Sequence, residues 1–180
     1  IISIVSIFFG LSLIGLICGI IAIIRVTYYL FGVDFLRGTW AQTALLVLSI
    51  VTIFMGSMLA YKEKLLKKRL AYSTVSNVSY VVLMLMCPAG FMGALLQVVC
   101  HAVAKNILFL CAGAIIYKTH KTYVSELKGI GKEMPIVMWT FALAALSLIG
   151  IPPTSGFVSK WYLAPGGIAD YGILGIVGAA

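Results

Sequence analysis

Three side chains in an otherwise oily stretch have the chemistry to handle protons. Residues 91–117 read FMGALLQVVCHAVAKNILFLCAGAIIY and carry Gln97, His101 and Lys105 at i, i+4 and i+8. On a helix this spacing sets them in one row along one face. The stretch is long enough to cross a bilayer with some tilt. Imidazole exchanges a proton near neutral pH, and an amide or an amine beside it can order water. Ionisable groups inside a span cost several kcal/mol unless they meet partners or water, and by default they mark an ion or proton path. The plainer reading is a histidine held by packing and a lysine snorkelling to the interface. Lys105 stands near the middle of its stretch, which weakens the snorkelling reading.

A second cluster of chemistry lies downstream. Gly150-Ile-Pro-Pro-Thr-Ser-Gly156 interrupts an apolar run, and Lys160 follows within about a turn and a half. Two prolines and two glycines do not continue a regular helix. A helix broken at membrane depth exposes backbone groups where an ion can bind. An ordinary loop between two spans, with Lys160 at the interface, fits the composition equally well. A third cluster, Ser73, Ser76, Asn77 and Tyr80, falls at i, i+3, i+4 and i+7. This polar stripe on one helix face either glues helices together or lines a hydrated path.

The elements that position these groups follow from composition. Hydrophobic residues make up 62% of the 180, and only 10% are charged. Average soluble domains carry about 25% charged residues. With a mean hydropathy of +1.12, so much apolar surface has nowhere to go but a bilayer. The fold class expected is all-α, a polytopic transmembrane bundle with a discontinuous helix near 150–157. Spans are expected at about 1–31, 41–61, 70–87, 91–117, 134–149 and 156–165, with a last one at 168–180 cut short. Neither end carries a boundary signal, so the chain reads as a piece of a longer membrane subunit. The apolar start has no charged n-region and no cleavage site, so it is not expected to be a signal peptide.

The net charge of +8 sorts by position and is no nucleic-acid signal. Lys62, Lys64, Lys67, Lys68 and Arg69 crowd one connection, and Lys118, Lys121, Lys128 and Lys132 another. If the second to fifth spans each cross once, both basic connections lie on the same side. The positive-inside rule then places loops 62–69 and 118–132 in the cytoplasm of a plasma-membrane protein. Arg25 with Tyr28 and Tyr29 reads as an interfacial anchor. Cys18, Cys87, Cys100 and Cys111 lie in apolar runs without a CxxC pair, which argues against metal or disulfide frameworks. The five acids, Asp34, Glu63, Glu126, Glu133 and Asp170, sit in or beside connections. No Ser-His-acid set, P-loop or GxGxxG motif is present. No cofactor, metal or redox site is therefore expected in this chain.

Taken together, LLKKRLAYSTVSNVSY, HAVAKNILFLCAGAI, LKGIGKEMP and LSLIGIPPTSGFVSKWYL resemble the antiporter-like subunit family. It comprises proton-translocating membrane subunits of respiratory complex I, D-type subunits of Mrp sodium/proton antiporters, and their counterparts in membrane-bound hydrogenases. The likeness runs in order from about residue 40 to 163. The resemblance implies a relay in which Lys105 and His101 match the central lysine and histidine. Lys160 would match the charged residue of the broken helix at the exit. Lys67 would match the lysine opening the LKR-x-LAYS segment. Gln97, Ser73, Ser76, Asn77 and Tyr80 would support the water between them. Implied partners are other membrane subunits, lipid, protons and, in the antiporters, sodium. The chain departs from the family twice. No lysine stands in the first span, where Ile17 lies near the family's position, and Asn77 replaces a usual histidine. Two rival readings are a non-conducting structural subunit of such a complex and a quinone-binding redox subunit.

Overall fold

The computed structural model describes residues 18–32, 39–85 and 90–171, and all of its long elements are helices. Helix α1 covers residues 18–25 and continues as a π-helical turn, Val26–Phe31. It is followed by α2 (Trp40–Lys62), α3 (Leu66–Leu85), α4 (Phe91–Thr119), α5 (Pro135–Ile149) and α6 (Ser155–Tyr171). Among the described residues, α2 and α4 are long and apolar enough to cross a membrane, and residues 18–29 and α5 form shorter apolar helices. The expected spans over residues 1–17 and 172–180 lie outside the described residues, as do Ile17, Asp34, Arg37 and Cys87.

The chain folds back on itself in short steps. The α2–α3 turn is closed by Glu63, whose carboxylate accepts from the backbone N–H groups of Lys64 (3.0 Å) and Leu65 (3.2 Å). The expected basic loop 62–69 is therefore mostly helix. Lys67, Lys68 and Arg69 occupy the first turn of α3, since long basic side chains are good helix formers and keep their charges in water. The other basic connection comes alongside it. Leu66 N–H donates to the Thr122 carbonyl (3.2 Å) and Val124 N–H to the Lys64 carbonyl (3.0 Å), making a small antiparallel bridge. The two basic connections thus share one end of the bundle, as the count of crossings expects. Lys118 belongs to the last turn of α4, and His120 caps that helix in the left-handed conformation (φ 55°). At the opposite end, Tyr28 is half-buried while Arg25 and Tyr29 beside it are exposed. The Tyr28 hydroxyl donates to the Leu85 carbonyl of α3 (3.0 Å).

Helix α5 opens on Pro135, whose fixed φ suits a first helical position. It ends at Gly150 with φ 86°, a left-handed cap that a side chain would strain. After the Pro-Pro step, α6 begins at Ser155 and runs on through Pro165, where separate spans were expected on either side. The helix is thus interrupted over 150–154, as the break motif requires.

In packing order, α3 contacts both α2 and α4, and α4 contacts both α5 and α6. Gly56 of α2 lies against Ser76 of α3, where an added Cβ would sit 3.2 Å from the Ser76 backbone nitrogen, so the two backbones run close. Two apolar clusters form. Ile20, Ile53, Val81, Leu83, Met84, Leu85 and Ala94 fill one end, and Leu66, Leu70, Leu108, Ala112 and Ala144 fill the basic end. The sequence between these clusters on α3 and α4 holds the polar side chains, so the bundle carries a polar layer between two oily ones.

Candidate functional site

The polar layer is centred on α4, whose one continuous face buries Gln97, His101 and Lys105 together. Lys105 is 1% exposed, the largest of the fully buried side chains. Its ammonium reaches across to α3, donating to the Leu70 carbonyl (2.8 Å) and to the Ser73 hydroxyl. Ser73 Oγ in turn donates to the same Leu70 carbonyl (2.9 Å). No carboxylate pairs with Lys105 among the described residues. One turn away, His101 is buried with both ring nitrogens lacking a hydrogen-bond partner. A buried polar group left unpaired is costly, which sets this ring apart from the other polar groups of the layer.

The next turn of α4 is tied on two sides. Gln97 Nε2 donates to Asn77 Oδ1 on α3 (3.3 Å), and Gln97 Oε1 accepts from the Ser159 hydroxyl on α6 (2.6 Å). Asn77 Nδ2 donates to the Ser73 backbone carbonyl (2.8 Å). The polar stripe of α3 therefore divides between neighbours. Ser73 and Asn77 serve α4, whereas Ser76 shares a hydrogen bond with Ser57 of α2 (3.1 Å). Tyr80, the last of the stripe, is half-buried and packs at the apolar cluster away from the basic end.

Lys160 sits at the break. Its ammonium donates to the Ile149 carbonyl (3.0 Å), the last residue of α5, so a cation meets the negative end of that helix. A Cβ at Gly150 would come within 2.9 Å of the Lys160 stem, and one at Gly156 would run into the Ser147 carbonyl. Both glycines thus let the half-helices approach closely. Ser147 and Ser155 hydroxyls meet across the same gap (3.2 Å).

Residues 3–178 match the model of the family described as NADH:quinone oxidoreductase/Mrp antiporter, TM. The chain belongs to this family. Among its relatives, NADH-quinone oxidoreductase subunit N of Desulforudis audaxviator is 47% identical over 116 residues, which are 63% of this chain and 23% of that one. Formate hydrogenlyase subunit 3 of Escherichia coli is 30% identical over 137 residues, 69% of this chain and 22% of its own length. NADH-quinone oxidoreductase subunit L of Mycobacterium tuberculosis is 34% identical over 137 residues, 75% and 22% of the two chains. The match therefore spans less than a quarter of each of these curated relatives.

In this antiporter-family segment, the structure gathers Gln97, His101 and Lys105 with Ser73 and Asn77. Lys160 lies at the end of α5, next in sequence to Ser159, whose hydroxyl donates to Gln97 of the layer. Lys67 is not brought in. It is exposed on the first turn of α3, one turn before Leu70, whose carbonyl holds Lys105. Sequence reasoning missed Ser159, which is fully buried. Its signal was the small pair Gly156 and Ser159 at i, i+3, a face on which another helix can lie close. The carbonyls of Leu70 and Ile149 had no signal at all, because every residue carries one.

Proposed function

We propose that this segment belongs to a proton-translocating membrane subunit of a multisubunit complex. The complex would be an NADH:quinone oxidoreductase, an Mrp-type antiporter or a membrane hydrogenase. Lys105 is the central relay, His101 orders water beside it, Gln97 supports that polar layer, Lys160 gates the exit at the broken helix, and Lys67 stands at the inlet junction. Other membrane subunits are its partners, and loops 62–69 and 118–132 face the cytoplasm of a plasma membrane. Sodium exchange is the antiporter version of the same reading.

One observation carries the reading: among the described residues, the buried ammonium of Lys105 is held only by neutral acceptors. A cation kept for structure alone is ordinarily matched by a carboxylate, because an unpaired buried charge is costly. A carbonyl and a hydroxyl accept from an amine as well as from an ammonium. Loss of the proton then strands no opposite charge, and a relay residue needs that tolerance of both states. His101 lies one turn along the same face, its ring nitrogens without a hydrogen-bond partner among the described residues. The test is Lys105→Ala in the full-length subunit of the assembled complex. Proton uptake into vesicles should vanish while assembly persists. Uptake at the unsubstituted rate rules out the relay and leaves a structural subunit as the better reading.

A further inference from the structure

The tie between α3, α4 and α6 has a definite direction. The Ser73 backbone carbonyl can only accept, so Asn77 must present its NH₂ there and its oxygen to Gln97. Gln97 must then present its NH₂ to Asn77 and its own oxygen to α6, where the Ser159 hydroxyl donates at 2.6 Å. The hydrogen-bond order Ser159, Gln97, Asn77, Ser73 is thereby fixed along its whole length. Every side chain in it is an alcohol or a carboxamide, and none gains or loses a proton in the physiological range. A carboxamide handing a proton along would have to pass through a high-energy tautomer, so this chain transmits position and not charge. Its two ends are informative. At one end, Ser159 precedes Lys160 in sequence. At the other, Ser73 gives its carbonyl to Asn77 and its hydroxyl to Lys105.

We propose that Ser159, Gln97 and Asn77 form a proton-insulating strut that positions the broken helix α6, and Lys160 with it, against the Lys105 pocket. Resting on the relay reading above, the strut makes Ser159 and Gln97 positioning residues. Ser159 is fully buried and its single hydroxyl proton goes to Gln97 Oε1 at 2.6 Å, the Gly156 carbonyl at 3.0 Å being the alternative acceptor, so the bond to Gln97 sets which way this face of α6 turns. Lys160, the next residue, is thereby turned toward the end of α5. Any movement of α6 that frees Lys160 from Ile149 must load the same strut, and so the Ser73 residue that holds Lys105. The two lysines are coupled mechanically, while the route between them through the strut is closed to protons.

The test uses the full-length subunit in its assembled complex, reconstituted into vesicles holding a pH-sensitive dye. Two quantities are read: the initial rate of driven proton uptake, and the passive decay of an imposed pH gradient. Ser159→Ala and Gln97→Leu should each slow driven uptake about tenfold with no faster decay. Gln97→Glu has the shape of glutamine and, when protonated, the same two hydrogen bonds. It should keep driven uptake within about twofold of the unsubstituted complex and speed the decay at least about threefold, because a titrating group now bridges the layer. Normal uptake in Ser159→Ala overturns the strut, as does a loss in Gln97→Glu as deep as in Gln97→Leu. Unchanged decay in Gln97→Glu overturns the insulation. Should Gln97→Leu fail to assemble, the near-isosteric Ser159→Ala and Gln97→Glu carry the test. The relay itself is read apart from this, by Lys105→Ala. Normal uptake there removes the reading beneath the strut. Lost uptake there beside normal uptake in Ser159→Ala removes the strut alone.

Discussion

Lys105 and Lys160 both rest their ammonium groups on backbone carbonyls, but they reach them by different routes. Lys105 rises from the middle of an unbroken helix and is sealed between α3 and α4. Its carbonyl, on Leu70, already serves the hydroxyls of Ser73 and Thr74. Lys160 rises from the start of a helix that follows a break and stays half-buried. Its carbonyl, on Ile149, is one of the helix-end acceptors that α5 cannot satisfy by itself. The contrast teaches how one residue type is held in two different ways. A lysine buried among neutral acceptors is held without an opposite charge, which suits the relay role proposed for Lys105. A lysine on a helix end can let go, because water or another cation can replace it there at little cost.

The sharpest way to break this comparison is to close the gap between the half-helices. In Gly156→Val the side chain meets the Ser147 carbonyl backbone, which cannot move aside without shifting α5. Little folded subunit should be recovered after detergent extraction and gel filtration, and recovery at the normal level would mean the two half-helices are not held as closely as described. Next comes loss of the central amine, the Lys105→Ala experiment above, in which folding survives and transport does not. A smaller effect is expected from Lys160→Met, which keeps the stem and removes the charge. Thermal stability should drop by only about 0.5 kcal/mol, the scale of a cation at a helix end. Driven uptake should fall partway, and a stability loss as large as that of Gly156→Val would show that Lys160 holds the break together. Least affected should be Lys67→Ala. With its side chain exposed at the start of α3, this variant should lower uptake only severalfold, and a complete loss would make Lys67 the equal of Lys105.

Much of the site was readable from spacing because a helix turns apolar and polar periodicity into faces. Gln97, His101 and Lys105 share a face in the structure as they do in the sequence. The break at 150–154 was written in its prolines and glycines. The polar stripe of α3 was less transparent, since both its neighbours are helices and spacing cannot say which hydroxyl meets which. Ser76 went to α2 and Asn77 to α4. The basic run 62–69 misled for a related reason: lysines mark an end of the membrane as well when they begin a helix as when they fill a loop.

The order of residues alone determined that this chain lives in oil, where its helices break, and which three groups of α4 look the same way. Those are properties of one helix at a time, and local sterics and hydropathy set them. Only the assembled bundle decided that Leu70 and Ile149 would supply the acceptors, that Ser159 would close on Gln97, and that Tyr28 would meet the Leu85 carbonyl. Each of those contacts joins residues far apart in the chain through a backbone carbonyl or a small hydroxyl. Which of many equivalent carbonyls is met depends on how closely two helices approach, and that is fixed by glycines such as Gly56 and Gly156 acting together with everything packed around them.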